Sequence, residues 1–279
     1  MTSSAFIAGC AGPVLGADEA AFFRAARPWG FILFKRNCES PEQIRRLTDG
    51  LRETVGWRAP ILIDQEGGRV QRLGPPQWPA YPTGRTYGDV FARDREAGLA
   101  AARLGARLMA ADLLALGIDV DCLPVLDVPV EGAHDVIGHR AYGVTPDVVS
   151  VLGRAAAAGL LDGGVLPVIK HVPGHGRAGV DSHLALPVVE TDRATLETTD
   201  FPPFRDAADL PLAMTAHVVY TAIDAADPAT TSKRVIDEVI RGFIGFDGCL
   251  MSDDVSMQAL SGSIGERTAA AIEIGRAHV

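Results

Sequence analysis

The stretch VLPVIKHVPGHGRAGVDSH, residues 165–183, joins an apolar half to a polar, glycine-rich one. VLPVIKH is apolar and rich in β-branched residues until Lys170 and His171, as expected of a strand buried on both faces. The remainder is loop-like. It holds two further histidines, so this stretch has three of the chain's seven. A buried strand that ends in charged residues and a loop is one unit of an α/β protein with its chemistry at the strand ends.

The same design recurs along the chain. AFIAG (5–9), GFILF (30–34), PILID (60–64), IDVDCLP (118–124), LAMTAHV (212–218) and GCLMSDD (248–254) read as strands. Helical periodicity separates them in DEAAFFRAA, PEQIRRLTDGLRETV, REAGLAAARLGARLMAADLLALG, PDVVSVLGRAAAAGLLDGG and TSKRVIDEVIRGFIGF. Pro41 and Pro146 stand where a first helical turn accepts proline. Seven strand–helix units predict an α/β fold of the TIM (β/α)8 type, with a doubly wound open sheet as the rival. The polar residues favour the barrel. Asp64, Asp127, Lys170, His171, His217, Asp253 and Asp254 fall at or just beyond the C-terminal ends of different strands. In a barrel those ends converge on one face. The first strand is not followed by GxGxxG, so a dinucleotide fold gains no support.

The strand pattern stops at seven. After DVSMQALSGSIGERTAAAI the chain ends in EIGRAHV, which breaks the helical pattern. The codons GAG ATC GGA AGA GCA CAC GTC would encode those residues and resemble a common sequencing-adapter read. Residues 273–279 are therefore expected to be a non-native tail. Residues 1–272 are expected to be a single catalytic barrel domain truncated before its last strand, with an exposed sheet edge.

The chain has 279 residues, 47% hydrophobic and 22% charged, as a soluble globular domain does. A net charge of -9 argues against nucleic acid or an anionic membrane as the main partner. No apolar run approaches the roughly 20 residues of a membrane span. The N-terminus has no positively charged leader. Cys10, Cys38, Cys122 and Cys249 show no CxxC spacing and read as buried reduced thiols. These features together lead us to expect a cytoplasmic protein.

KHVPGHGRAGVDSH, 170–183, admits three readings. His171 and His175 have the i, i+4 spacing of helical metal ligands, but Pro173 and Gly174 between them oppose a helix. PGHGRAG could offer backbone amides to a phosphate, but GxxxxGK[ST] is absent. The third reading is acid/base chemistry. Asp181 can hydrogen-bond the imidazole of His183, fixing its tautomer and raising its pKa. The pair could then give a proton to a leaving group and take one from water. Glycines 174, 176 and 179 would let the segment open and close. Downstream, LMSDDVSM (250–257) puts carboxylates at the barrel rim. One of them could be a nucleophile, whereas Asp254 suits a cap.

KHVPGHGRAGVDSH taken with LMSDDVSM resembles the bacterial β-N-acetylglucosaminidases of glycoside hydrolase family 3, the peptidoglycan-recycling type. GFILFKRNC (30–38), IDQEGGRVQRL (63–73), LPVLDV (123–128), IGHRAYG (137–143) and MTAHVVY (214–220) carry the likeness over residues 5 to 272. The resemblance implies a retaining hydrolysis. Asp253 matches the family nucleophile, His183 the general acid/base and Asp181 its dyad partner. It further implies that Asp64, Arg72, Arg140, Lys170 and His171 bind the terminal N-acetylglucosamine. Arg69 is read as an ion-pair residue, while His175 and His217 lie near the site with open roles. Val172 replaces the family's usual Phe and is expected to stay packed.

On this resemblance the chain is expected to be an exo-acting β-N-acetylhexosaminidase without metal or cofactor, and a monomer. Its substrate would be N-acetylglucosaminyl-anhydro-N-acetylmuramic acid and its peptides. Alternatives are a β-glucosidase or phosphorolytic member of the family, a metal-dependent barrel hydrolase, or a non-catalytic sugar-binding barrel.

Overall fold

The computed structural model describes residues 3–182 and 184–273. Seven strands form one parallel sheet in chain order: β1 Ser4–Gly9, β2 Pro28–Leu33, β3 Ile61–Ile63, β4 Val120–Asp121, β5 Leu166–Val172, β6 Leu212–Thr215 and β7 Cys249–Met251. Register runs through Phe31 beside Ile61, Leu62 beside Val120, Val168 beside Leu212 and Met251 beside Met214. Among the described residues no strand joins β1 to β7, so the sheet is an open arc. These strands are those of the expected TIM (β/α)8-type barrel, with no eighth among the described residues.

Side chains alternate across the sheet, as a period of two requires. Ile32, Leu62, Val168, Met214 and Met251 point to the barrel interior with Ile7 and Val120. Their neighbours Phe31, Leu33, Ile61 and Ile63 pack outward with Ile44, Leu47 and Leu51 of α2, Pro41–Val55. Both faces are buried, which is why the strands read as continuous apolar runs.

Helix α1 is Ala17–Ala26, α3 Gly84–Arg93, α4 Arg95–Leu114 and α5 Pro146–Asp162. Shorter α6, Arg193–Thr199, and α7, Pro202–Asp206, precede β6, and α8 spans Ile264–Glu273. Helix α2 starts where predicted, with Pro41 in its first turn and Ser40 Oγ accepting the Gln43 N–H at 3.3 Å. Helix α3 was not expected, because Gly84 and Gly88 lower its propensity. Thr83 caps it, and Tyr87 packs on Tyr142 with ring centroids 6.4 Å apart. Tertiary contact thus overrides local preference. The segment expected as an ordinary helix over 231–246 is instead π-helical at Val235–Phe243. No described helix is long and apolar enough to cross a membrane. Cys10, Cys38 and Cys122 are buried thiols, and Cys249 is half-buried.

Candidate active site

Asp64 directly follows β3. The chain then makes a small antiparallel hairpin, Gln65–Gly67 against Val70–Gln71. Its turn depends on Gly67, at φ 90°, where a Cβ would stand 2.1 Å from the Pro82 carbonyl oxygen. Gln65 ties the hairpin together, its Oε1 accepting the N–H groups of Arg72 at 3.1 Å and Leu73 at 3.0 Å. Asp121 of β4 accepts the Gln65 backbone N–H at 3.0 Å. Glu66 and Arg72 are thereby turned back over the end of β3.

Here lies a dense ionic cluster. Asp64 Oδ1 is 2.7 Å from Lys170 Nζ, and its Oδ2 is 2.8 Å from Arg72 Nη2. Glu66 accepts both prongs of Arg140, from Nε and Nη2, at 2.8 Å each. Glu66 Oε1 also lies 2.6 Å from Lys170 Nζ. Burial favours the neutral form of Glu66, but Arg140 and Lys170 outweigh it and hold its carboxyl down at about 2. Asp64 is likewise held below the usual carboxylate range against its burial, by Lys170 and then Arg72. Burial would lower the Lys170 pKa, yet Asp64 and Glu66 raise it. Asp121 differs: burial drives its carboxyl well above the ordinary value, and Oδ2 has no hydrogen-bond partner. Burial thus favours its protonated form.

Asp127 organises a second cluster. Its Oδ2 lies 2.6 Å from His171 Nδ1, while Oδ1 accepts the backbone N–H groups of His171 at 3.2 Å and His175 at 2.7 Å. Burial opposes the Asp127 charge, but His171 and His175 hold the carboxyl at about 2. The His171 and His175 rings meet edge to face, 5.7 Å between centroids. Each ring is hydrogen-bonded elsewhere, and among the described residues no group of three or more His, Cys, Asp or Glu is arranged to hold a metal ion.

Asp253 stands just past β7 and accepts the Asp254 N–H at 2.8 Å. Burial alone would raise its pKa. His171, His217, the Asp254 amide and Lys170 reverse this and keep it ionised. Asp254 Oδ1 caps the turn by accepting the Ser256 N–H at 2.8 Å, the role expected of it. His217 is committed internally, Nδ1 2.6 Å from Thr230 Oγ1 and Nε2 3.0 Å from the Asp254 carbonyl. Arg69 pairs with Asp135 at 3.1 Å, also as expected. Val172, in place of the expected Phe, is fully buried.

Asp64, Arg72, Arg140, Lys170, His171 and Asp253 together line one cavity of about 170 Å³, with His175, Ser182 and Met214. Asp181 lines an adjoining groove of about 360 Å³, and Val70, Val136 and Arg140 border both spaces. His183 lies outside the described residues. Three cations (Arg72, Arg140, Lys170) face three ionised carboxylates (Asp64, Glu66, Asp253), so the pocket suits a neutral, hydroxyl-rich ligand held by charge-assisted hydrogen bonds.

Sequence reasoning passed over Glu66, and it put Asp127 on the strand-end face without assigning it a role. Asp127 was visible as a strand-end carboxylate, without a sign that it holds two histidines. Glu66 lay in QEGG, where only the hairpin reveals its direction. The expected glycine hinge also narrows. A Cβ on Gly176 would come within 2.0 Å of the Val128 carbonyl oxygen, so this glycine serves close packing.

Residues 24–275 match the family described as "Glycosyl hydrolase family 3 N terminal domain". A beta-hexosaminidase of Alkalilimnicola ehrlichii is 43% identical over 273 residues, covering 96% of this chain and 77% of the relative. One from Bordetella avium is 40% identical over 250 residues, covering 88% and 71%. The crystal structure of NagZ from Neisseria gonorrhoeae in complex with N-trifluoroacetyl-D-glucosamine superposes with a TM-score of 0.92 at 34% identity, over 99% of this chain and 80% of that one. Likeness of this length and identity settles kinship: the chain belongs to glycosyl hydrolase family 3, as a glycoside hydrolase of the beta-hexosaminidase type.

Proposed function

We propose that this glycoside hydrolase removes single non-reducing N-acetylglucosamine residues from muropeptide fragments by a retaining, two-step mechanism. In the first step Asp253 attacks the anomeric carbon. The C1–O bond to the leaving group breaks as His183 delivers a proton to that oxygen. In the second step water attacks C1, His183 takes its proton, and the C1–Asp253 ester bond breaks. Asp181 orients the imidazole and stabilises its charged form. A His/Asp dyad here takes the place of the second carboxylate that most retaining glycosidases use.

The observation that carries this reading is the meeting of an ionised Asp253 with the Asp64, Arg72, Arg140, Lys170 and His171 cluster around one small cavity. Its size, well under the ~300–1,000 Å³ of a drug-sized ligand site, suits one sugar ring and exo action. The groove beside Asp181 and Arg69 would take the next residue, anhydro-N-acetylmuramic acid with its peptide. We place this activity in the cytoplasm, where such fragments are recycled, in a monomer whose catalytic domain is residues 1–272.

The test is Asp253→Ala, assayed on an aryl β-N-acetylglucosaminide in parallel with wild type. Turnover should fall by at least about 10³-fold. Undiminished turnover would remove the nucleophile role. Comparing rates with and without inorganic phosphate separates hydrolysis, expected here, from phosphorolysis.

A further inference from the structure

Ser182 is fixed from two directions. Its Oγ lies 3.1 Å from His175 Nε2, and its carbonyl accepts the Ala259 N–H at 3.1 Å. Ala259 belongs to the segment that follows Asp253. Ser182 is therefore where the loop carrying Asp181 meets the loop carrying Asp253. The chain turns tightly here, the Asp181 carbonyl accepting the N–H groups of Leu184 at 2.9 Å and Ala185 at 3.0 Å.

His175 is itself firmly held. It is 3% exposed, and its backbone N–H is bound by Asp127, whose other oxygen holds His171. The Tyr220 hydroxyl donates to the Gly174 carbonyl, and the Gly176 carbonyl accepts the Val130 N–H at 3.3 Å. The imidazole makes one side-chain hydrogen bond, to Ser182, and its Nδ1 is buried without a partner. An apolar side chain would fill this place without an unmatched ring nitrogen. What distinguishes the histidine is its bond to Ser182, which lies between Asp181 and His183 in sequence.

We infer that His175 and Ser182 form a clasp that positions the acid/base segment through Asp181 and Ser182, and couples it to the Asp127-anchored sugar contact His171. Both line the cavity that Asp253 borders, and the role assigned to each is that of a positioning residue. Burial, reinforced by the charge of His171, lowers the His175 pKa to about 4, so the clasp works with a neutral imidazole near pH 7. Asp127 and Asp253 oppose that shift. This inference rests on the acid/base role of His183 proposed above.

The experiment compares kcat/KM for two β-N-acetylglucosaminides, since that ratio reports the glycosylation step. A 2,4-dinitrophenyl leaving group departs without protonation, whereas a methyl leaving group requires the acid. His183→Ala should lose about 10²–10⁴-fold on the methyl glycoside and little on the dinitrophenyl one. Ser182→Ala removes a single hydroxyl, and His175→Ala removes the clasp's other half. Each should lose about 10- to 100-fold on the methyl glycoside and no more than about threefold on the dinitrophenyl one. His175→Gln, whose amide can still reach Ser182, should recover part of the loss. Equal losses on both substrates, or none, for Ser182→Ala and His175→Ala would overturn the clasp while His183 kept its role. Absence of leaving-group dependence in His183→Ala would overturn the acid/base assignment, and the clasp with it.

Discussion

Lys170 Nζ lies 2.6 Å from Glu66 Oε1, and neither side chain is more than 3% exposed. The same ammonium reaches Asp64 at 2.7 Å, so a strand-end lysine holds two carboxylates from the hairpin region in fixed relation. Removing one partner from a buried ionic group leaves its counter-charges unpaired.

Lys170→Met should therefore cost on the order of 3–5 kcal/mol in unfolding free energy, measured by urea denaturation at pH 7. The folded fraction should also bind N-acetylglucosamine more weakly. A cost under about 1 kcal/mol would mean that Asp64 and Glu66 rearrange freely without it.

Arg140 grips Glu66 with two parallel bonds, a geometry that lysine cannot copy. Arg140→Lys keeps the charge and loses the fork. KM for an aryl β-N-acetylglucosaminide should rise about tenfold, with a smaller change in kcat. An unchanged KM would show that Arg140 contributes charge alone.

Asp121 yields a prediction of the opposite sign. Its carboxyl titrates above the ordinary value in the folded protein, where burial disfavours the charge. The folded state therefore holds a proton that the unfolded state releases above its own pKa, so stability falls as pH rises through that range. Asp121→Asn keeps an acceptor for the Gln65 N–H and abolishes the titration. Its stability relative to wild type should rise as pH rises from about 4 towards neutral. Thermal denaturation across that range reads the slope. A destabilisation that grows with pH would mean that Asp121 is ionised in the fold.

The barrel was legible because its strands are buried on both faces, so VLPVIKH or PILID reads as an apolar run with a polar stop. That stop locates the rim. It brought Asp64, Lys170, His171 and Asp253 into view, and the structure gathers them in one cavity. The same signal also marked His217 and left its role open, a residue whose two ring nitrogens bond Thr230 and Asp254 and which helps to lower the Asp253 pKa. It fell short at Glu66, whose direction is set by a hairpin turning on Gly67, and at Asp127, whose role depends on residues more than forty positions away. Direction and partnership arise from tertiary packing, which local periodicity does not encode. Helix α3 escaped for the same reason, since Thr83 and Tyr142 hold it rather than its own propensity.

The most direct test of the account is to trap the covalent intermediate. A 5-fluoro β-N-acetylglucosaminide with a dinitrophenyl leaving group slows both steps, but its good leaving group spares the first, so the glycosyl-enzyme accumulates. Proteolysis and mass spectrometry should then find one sugar per chain, on the peptide containing Asp253 and on that side chain. Label on any other residue, or rapid turnover of intact enzyme with no covalent adduct, would contradict the account.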